Sequence, residues 1–113
     1  MSDIHSQEDI NEEFLMGLLC QVGEARAALM ESMIAARSGD FEKALKLIDV
    51  GDTALANVHH SQTSLISFDE GQGKVTMTLI LTHIQDHIMT TMLCRDLALE
   101  VIEIHKKFEE FSK

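Results

Sequence analysis

The 113-residue chain has no proline, tryptophan or tyrosine, and only two cysteines and five phenylalanines. Without proline, nothing in the chain forces a helix to kink or stop, so long helices are open to it. Five Phe make no platform of rings on which bases could stack. Cationic side chains are also scarce, with nine Lys and Arg against 19 Asp and Glu and a net charge of −10. Nucleic-acid binding requires a basic stripe that displaces counterions, and this balance excludes it. Cys20 and Cys94 are too few and too far apart for a disulfide framework or a zinc site. The N-terminus is acidic rather than basic and apolar, so no signal peptide is expected.

Apolar residues make up 45% of the chain, enough for one core at a length typical of one domain. The expectation is a single domain over 1–113, acting in the cytoplasm. The charge is uneven. Residues 1–13 hold Asp3, Glu8, Asp9, Glu12 and Glu13 with no Lys or Arg, and residues 1–8 read as a frayed acidic arm. Residues 74–113 are nearly balanced, with six acids and five bases. Between Lys74 and Arg95 the one formally charged side chain is Asp86, flanked by His83 and His87. The same stretch carries Thr76, Thr78, Thr82, Gln85, Thr90 and Thr91, too polar for a lipid-facing span, so no membrane insertion is expected.

Apolar spacing gives an all-α chain of three helices. Helix 1 should open on the capping-box-like Ser6-x-x-Asp9, bury Leu15, Leu18, Val22, Ala25, Leu29 and Met33, and stop at Ser38-Gly39-Asp40. Asp40 then caps helix 2, which carries Phe41, Ala44, Leu45, Ile48, Leu55, Val58, Leu65 and Ile66. Gly51 is a site for a kink in helix 2. Asp69–Gly73 is the turn into helix 3, expected from about Lys74 to near Phe111. Two short connections between long helices imply an up-down-up antiparallel three-helix bundle. Helix 3 has apolar residues on far more than one face, Leu79, Leu81, Ile88, Met89, Leu93 and Leu97 among them. A monomeric bundle buries only one stripe, so the surplus predicts a homo-oligomer with helix 3 at its interface.

His83, Asp86 and His87 lie one helical turn apart and share a patch. Several readings of that patch compete. The residues could be interfacial and structural, with Asp86 paired to a His. They could bind metal, although no second ligand-rich helix is evident. Three Asp86 carboxylates meeting on a symmetry axis would need a hard cation or protons to offset their repulsion. Alternatively a neutral imidazole could take and release a phosphoryl group, with Gln85, Gln62, His87 and nearby Thr hydroxyls as donors. Hydrolysis by Ser, Cys or carboxylate is disfavoured, since no nucleophile elbow or phosphate loop is present.

The run Leu79-Ile-Leu-Thr-His83-Ile-Gln85-Asp86-His87-Ile-Met89-Thr-Thr resembles the active-site helix of the lactose/cellobiose-type enzyme IIA of the bacterial phosphoenolpyruvate-dependent sugar phosphotransferase system. The likeness extends through Ala27–Ala36, Ser38-Gly39-Asp40-Phe41-x-x-Ala44 and Val58-His59-His60-Ser61-Gln62-Thr63-x-Leu65-Ile66. Val58 and Ile84 stand where the family usually has Ala, both apolar changes. The resemblance implies a homotrimer of three-helix chains, a nine-helix assembly, with no organic cofactor. It implies that His83 is phosphorylated by phospho-HPr and passes the group to a Cys of the IIB component. IIB in turn serves the membrane IIC transporter of a lactose-, cellobiose- or chitobiose-type disaccharide. Asp86 falls on the acid near the threefold axis that can hold Mg²⁺ or another divalent cation, and Gln85 and His87 fall in orienting positions.

Two alternatives stay open at this point. One is a non-catalytic trimeric adaptor whose His/Asp patch only organises assembly. The other is a two-component histidine-phosphotransfer domain, although Asp86 and His87 stand where its Lys and Gly would be. His59 and His60 cannot face the same environment on a helix, and one of them could reach the His83 neighbourhood. His5 and His105 read as structural or solvated. Cys20 and Cys94 read as small core residues, and the seven Met as core filler or adaptable contact surface.

Overall fold

The computed structural model describes residues 3–112 and consists of three long helices: α1 Glu12–Arg37, α2 Phe41–Asp69 and α3 Leu79–Ser112. They form an up-down-up bundle measuring 58 × 22 × 20 Å, with no strand among the described residues. α1 packs most closely against α2 and next against α3, whereas α2 and α3 touch least and leave a groove between them.

The first turn is sharp for the reasons visible in the sequence. α1 ends at Arg37, Gly39 adopts φ +84°, and the Asp40 carboxylate accepts the Lys43 N–H at 3.1 Å to cap α2. α2 runs through Gly51 as one unbroken helix. Gly51 is buried where α1 crosses, and a Cβ there would stand 2.8 Å from the Leu29 side chain. Its missing side chain is what lets the two helices approach.

The second connection is longer than the spacing suggested. Glu70, Gly71 and Gly73 all have positive φ, and the Asp69 carboxylate accepts the N–H groups of Val75 (2.9 Å) and Gly73 (3.3 Å). The bond from Val75, followed by that from Gly73, holds the Asp69 pKa below the ordinary carboxylate range. That loop keeps residues 74–78 out of the helix. α3 therefore starts at Leu79, with Thr78 Oγ1 accepting the Leu81 N–H at 3.2 Å.

The N-terminus also differs from expectation. The Ser6/Asp9 box is formed, but it closes a separate 3₁₀ turn, Gln7–Asp9, and the cap of α1 is Asn11, whose side chain accepts from Phe14 N–H. Of the arm expected to fray, residues 1 and 2 lie outside the described residues. Asp3 and Ile4 contact α2, Gln7 reaches Thr76 in the connection before α3, and Ile4 is buried against Leu65 and Leu81.

The core has two long parts. One joins Leu18, Val22, Val58, Ile84 and Ile88; the other joins Leu29, Ala36, Ala44, Ile48, Ala98 and Ile102. Leu45 and Ile66, expected to point inward, are exposed. So is Cys20, while half-buried Cys94 lies 3.9 Å from the Met30 sulfur across α1.

Candidate functional site

α3 brings two of the sequence-identified residues together. The rings of His83 and His87 are one turn apart, with centroids 6.3 Å from each other and planes tilted by 40°. His83 is exposed, and His87 is half-buried with its Nδ1 3.5 Å from the Thr91 hydroxyl. Thr91 is itself buried, so it offers His87 a fixed neighbour. His87 is thus the more constrained ring and His83 the more accessible one.

Gln85 is not part of that pair within one chain. Two residues along a helix turn the side chain to nearly the opposite side. Gln85 accordingly faces α2, where its Oε1 accepts from Gln62 Nε2. Both line the groove between α2 and α3. Asp86 is exposed in the single chain and stands on a stripe with Leu79, Leu93, Leu97, Ile104 and Phe108, spaced by fours and sevens. Those five apolar residues are 52–88% exposed. His83 borders the same stripe.

One chain does not assemble a metal centre: among the described residues, no group of three His, Cys, Asp or Glu is placed to hold an ion. Asp86 alone supplies one oxygen-donor side chain, which suits a hard cation only if other copies contribute theirs.

The helix 2 histidines separate as their adjacency requires. His60 turns to the arm, with its Nε2 3.0 Å from Asp3 Oδ1, and exposed His59 borders the α2–α3 groove beside Met89 and Met92. Arg95 on the same groove makes a two-pronged contact with Asp52, at 2.8 and 3.2 Å. The hydrogen bond and charge of Asp52 raise the Arg95 pKa further above its already high value. Sequence reasoning missed the Arg95–Asp52 and His60–Asp3 pairs, because neither has a local signature and both join residues more than 40 positions apart.

The site is an accessible His one turn from a second His, on a helix of a three-helix bundle bordered by an unburied apolar stripe, an arrangement compatible with a side chain that meets other proteins. Residues 13–106 match the lactose/cellobiose-specific IIA subunit family of the phosphotransferase system. The N,N'-diacetylchitobiose-specific EIIA component of Escherichia coli K12 is 40% identical over 107 residues, covering 95% of this chain and 92% of that protein. The crystal structure of the cellobiose-specific enzyme IIA from Bacillus anthracis superposes with a TM-score of 0.80 at 33% identity, covering 88% of this chain and 91% of that one. The IIA(chitobiose) chain in its solution complex with HPr from Escherichia coli gives 0.74 at 38% identity, covering 94% and 99%. The chain belongs to the lactose/cellobiose-specific IIA family. As a member it is a phosphotransferase component that works through a phosphohistidine intermediate.

Proposed function

We propose that His83 is the phosphoryl acceptor, that phospho-HPr is the donor, and that a Cys of a IIB component receives the group for a IIC transporter. Of the six His, the exposed ring of His83 within the run His-Ile-Gln-Asp-His carries this reading. Its exposure leaves room for two protein partners in turn, and the complex of the Escherichia coli chitobiose IIA with HPr supports the donor. The substrate system is of the lactose, cellobiose or chitobiose type, and the protein acts in the cytoplasm; no helix among the described residues is long and apolar enough to cross a membrane.

The chemistry asks little of the fold. The unprotonated imidazole nitrogen forms a bond to phosphorus as the donor's bond to phosphorus breaks; in the second transfer a IIB thiolate forms a bond to phosphorus as the His83 N–P bond breaks and the imidazole is released. Positioning and hydrogen bonding do the rest, and His87, held near Thr91, is the neighbour within reach of orienting the ring.

We place the working unit as a homotrimer built on the exposed stripe of α3, with three Asp86 carboxylates at its axis. A Mg²⁺ or similar ion held there would neutralise their mutual repulsion and lock the assembly. In that arrangement Gln85 of one copy sits on the flank of α3 opposite to His83, so its orienting role falls to a neighbouring copy. Incubation with phosphoenolpyruvate, enzyme I and HPr should add one acid-labile, alkali-stable phosphate per chain, and His83→Ala should add none while staying folded. Persistent labelling of His83→Ala defeats the assignment. The adaptor reading predicts instead that His83→Ala dissociates the assembly.

A further inference from the structure

The family match begins at residue 13, yet the preceding segment is packed and makes specific bonds. Ile4 is 6% exposed and clusters with Leu65 of α2 and Leu81 of α3. Its N–H donates to Ser64 Oγ at 2.6 Å. Three residues on, Gln7 Oε1 accepts the N–H of Thr76, in the connection just before α3, at 2.9 Å. The Asp3–His60 pair adds an exposed contact that is weak by itself. The 3₁₀ turn stiffens the segment, since the Asp9 carboxylate accepts the N–H groups of both His5 and Ser6.

At the start of α3, Thr78 caps the Leu81 and Thr82 N–H groups, and the first side-chain anchor into the core is Leu81. Leu79 is 88% exposed and Ile80 is also exposed, so Leu81 is the first side chain of the helix to be buried. It clusters with Leu65 and the arm's Ile4, with Phe14, Leu15, Phe68 and Val75 packed against them, and His83 follows two residues later. Helix ends fray unless something holds them, because their first N–H groups lack partners in the helix. A loosened first turn would spread the ring of His83 over many orientations, and transfer between two proteins depends on in-line geometry.

We propose that residues 3–10 are a strap that fixes the first turn of α3, with Ile4 acting through Leu81 as a positioning residue for His83. The proposal rests on His83 being the phosphoryl acceptor. Ile4→Ala should speed amide exchange over residues 79–84 about tenfold or more, leave amides near Ile102 unchanged, and slow phosphoryl uptake severalfold. Ile4→Leu should restore both. Gln7→Ala, on an exposed side chain whose loss cannot unfold the protein, should move the same amides by less. Ile102→Ala, an equally buried Ile at the far end, should lower the Tm without slowing uptake.

Unchanged exchange at 79–84 in both arm variants overturns the strap. Faster exchange with unaltered uptake overturns the positioning role, as does equal slowing by Ile102→Ala. If the unaltered chain takes no phosphate on His83, the functional reading fails instead, and the exchange pattern alone decides whether the arm clamps α3.

Discussion

The two faces of α3 carry the same kinds of side chain and meet opposite surroundings. Leu81, Ile84, Ile88, Ala98 and Ile102 are at most 2% exposed, closed over by α1 and α2. Leu79, Leu93, Leu97, Ile104 and Phe108, on the other face, remain more than half exposed. An exposed apolar stripe of that length on a lone chain is the feature on which the proposed trimer interface rests. The first face holds the fold together. The second, with Asp86 within it and His83 on its border, is where the function is proposed to lie.

The largest expected effect separates the faces most sharply. Leu97→Asp should dissociate the proposed trimer into monomers that keep their helix content, as read by analytical ultracentrifugation and circular dichroism. A trimer that survives would refute the placement of the interface. Ile88→Ala, on the buried face, should cost about 2–5 kcal/mol of unfolding free energy without changing the association state of the folded protein. Asp86→Leu should keep the assembly or raise its Tm, because apolar packing replaces carboxylates that repel one another at an axis. Dissociation on that change would count against an axial Asp86.

The smallest effect concerns the loop that starts α3. The folded pKa of Asp69 is depressed by the Val75 and Gly73 N–H groups, so its stabilisation is present above the unfolded value of about 4 and lost as pH falls through the lower folded value. Asp69→Asn should flatten that part of the acid limb in a denaturation series, and an unchanged limb would contradict the role of those bonds.

The bundle was legible because its signals are local. Gly39 and Asp40 sit where a helix must stop and another begin, and the stripe Leu18, Val22, Ala25, Leu29 follows the helical period into the core. The misread parts depend on contacts made at long range. Ser6 and Asp9 do form the box their spacing promises, but whether it opens α1 or a detached turn depends on Ile4 finding Leu65 and Leu81. Gly51 looks like a weak point in the sequence, and only the crossing of Leu29 reveals it as a close approach. The apolar spacing puts the start of α3 five residues too early because the hold of Asp69 on Val75 has no periodic signature.

The site was legible to a similar degree. His83 and His87 share a patch, as i, i+4 residues must. Gln85 faces away from them within the chain, which its offset of two residues requires once the helix is established. The surplus of apolar residues on α3 was readable from the sequence, and the exposed stripe gives it a location.

The central claim is that one ring, His83, carries the phosphoryl group. Its most direct test is to locate the modification by mass spectrometry, after phosphorylation through enzyme I and HPr, on peptides kept at alkaline pH. The expected result is a single phosphohistidine at His83, with His87, His59 and His60 unmodified. Phosphate found on His87, or on either histidine of α2 in place of His83, would contradict the account.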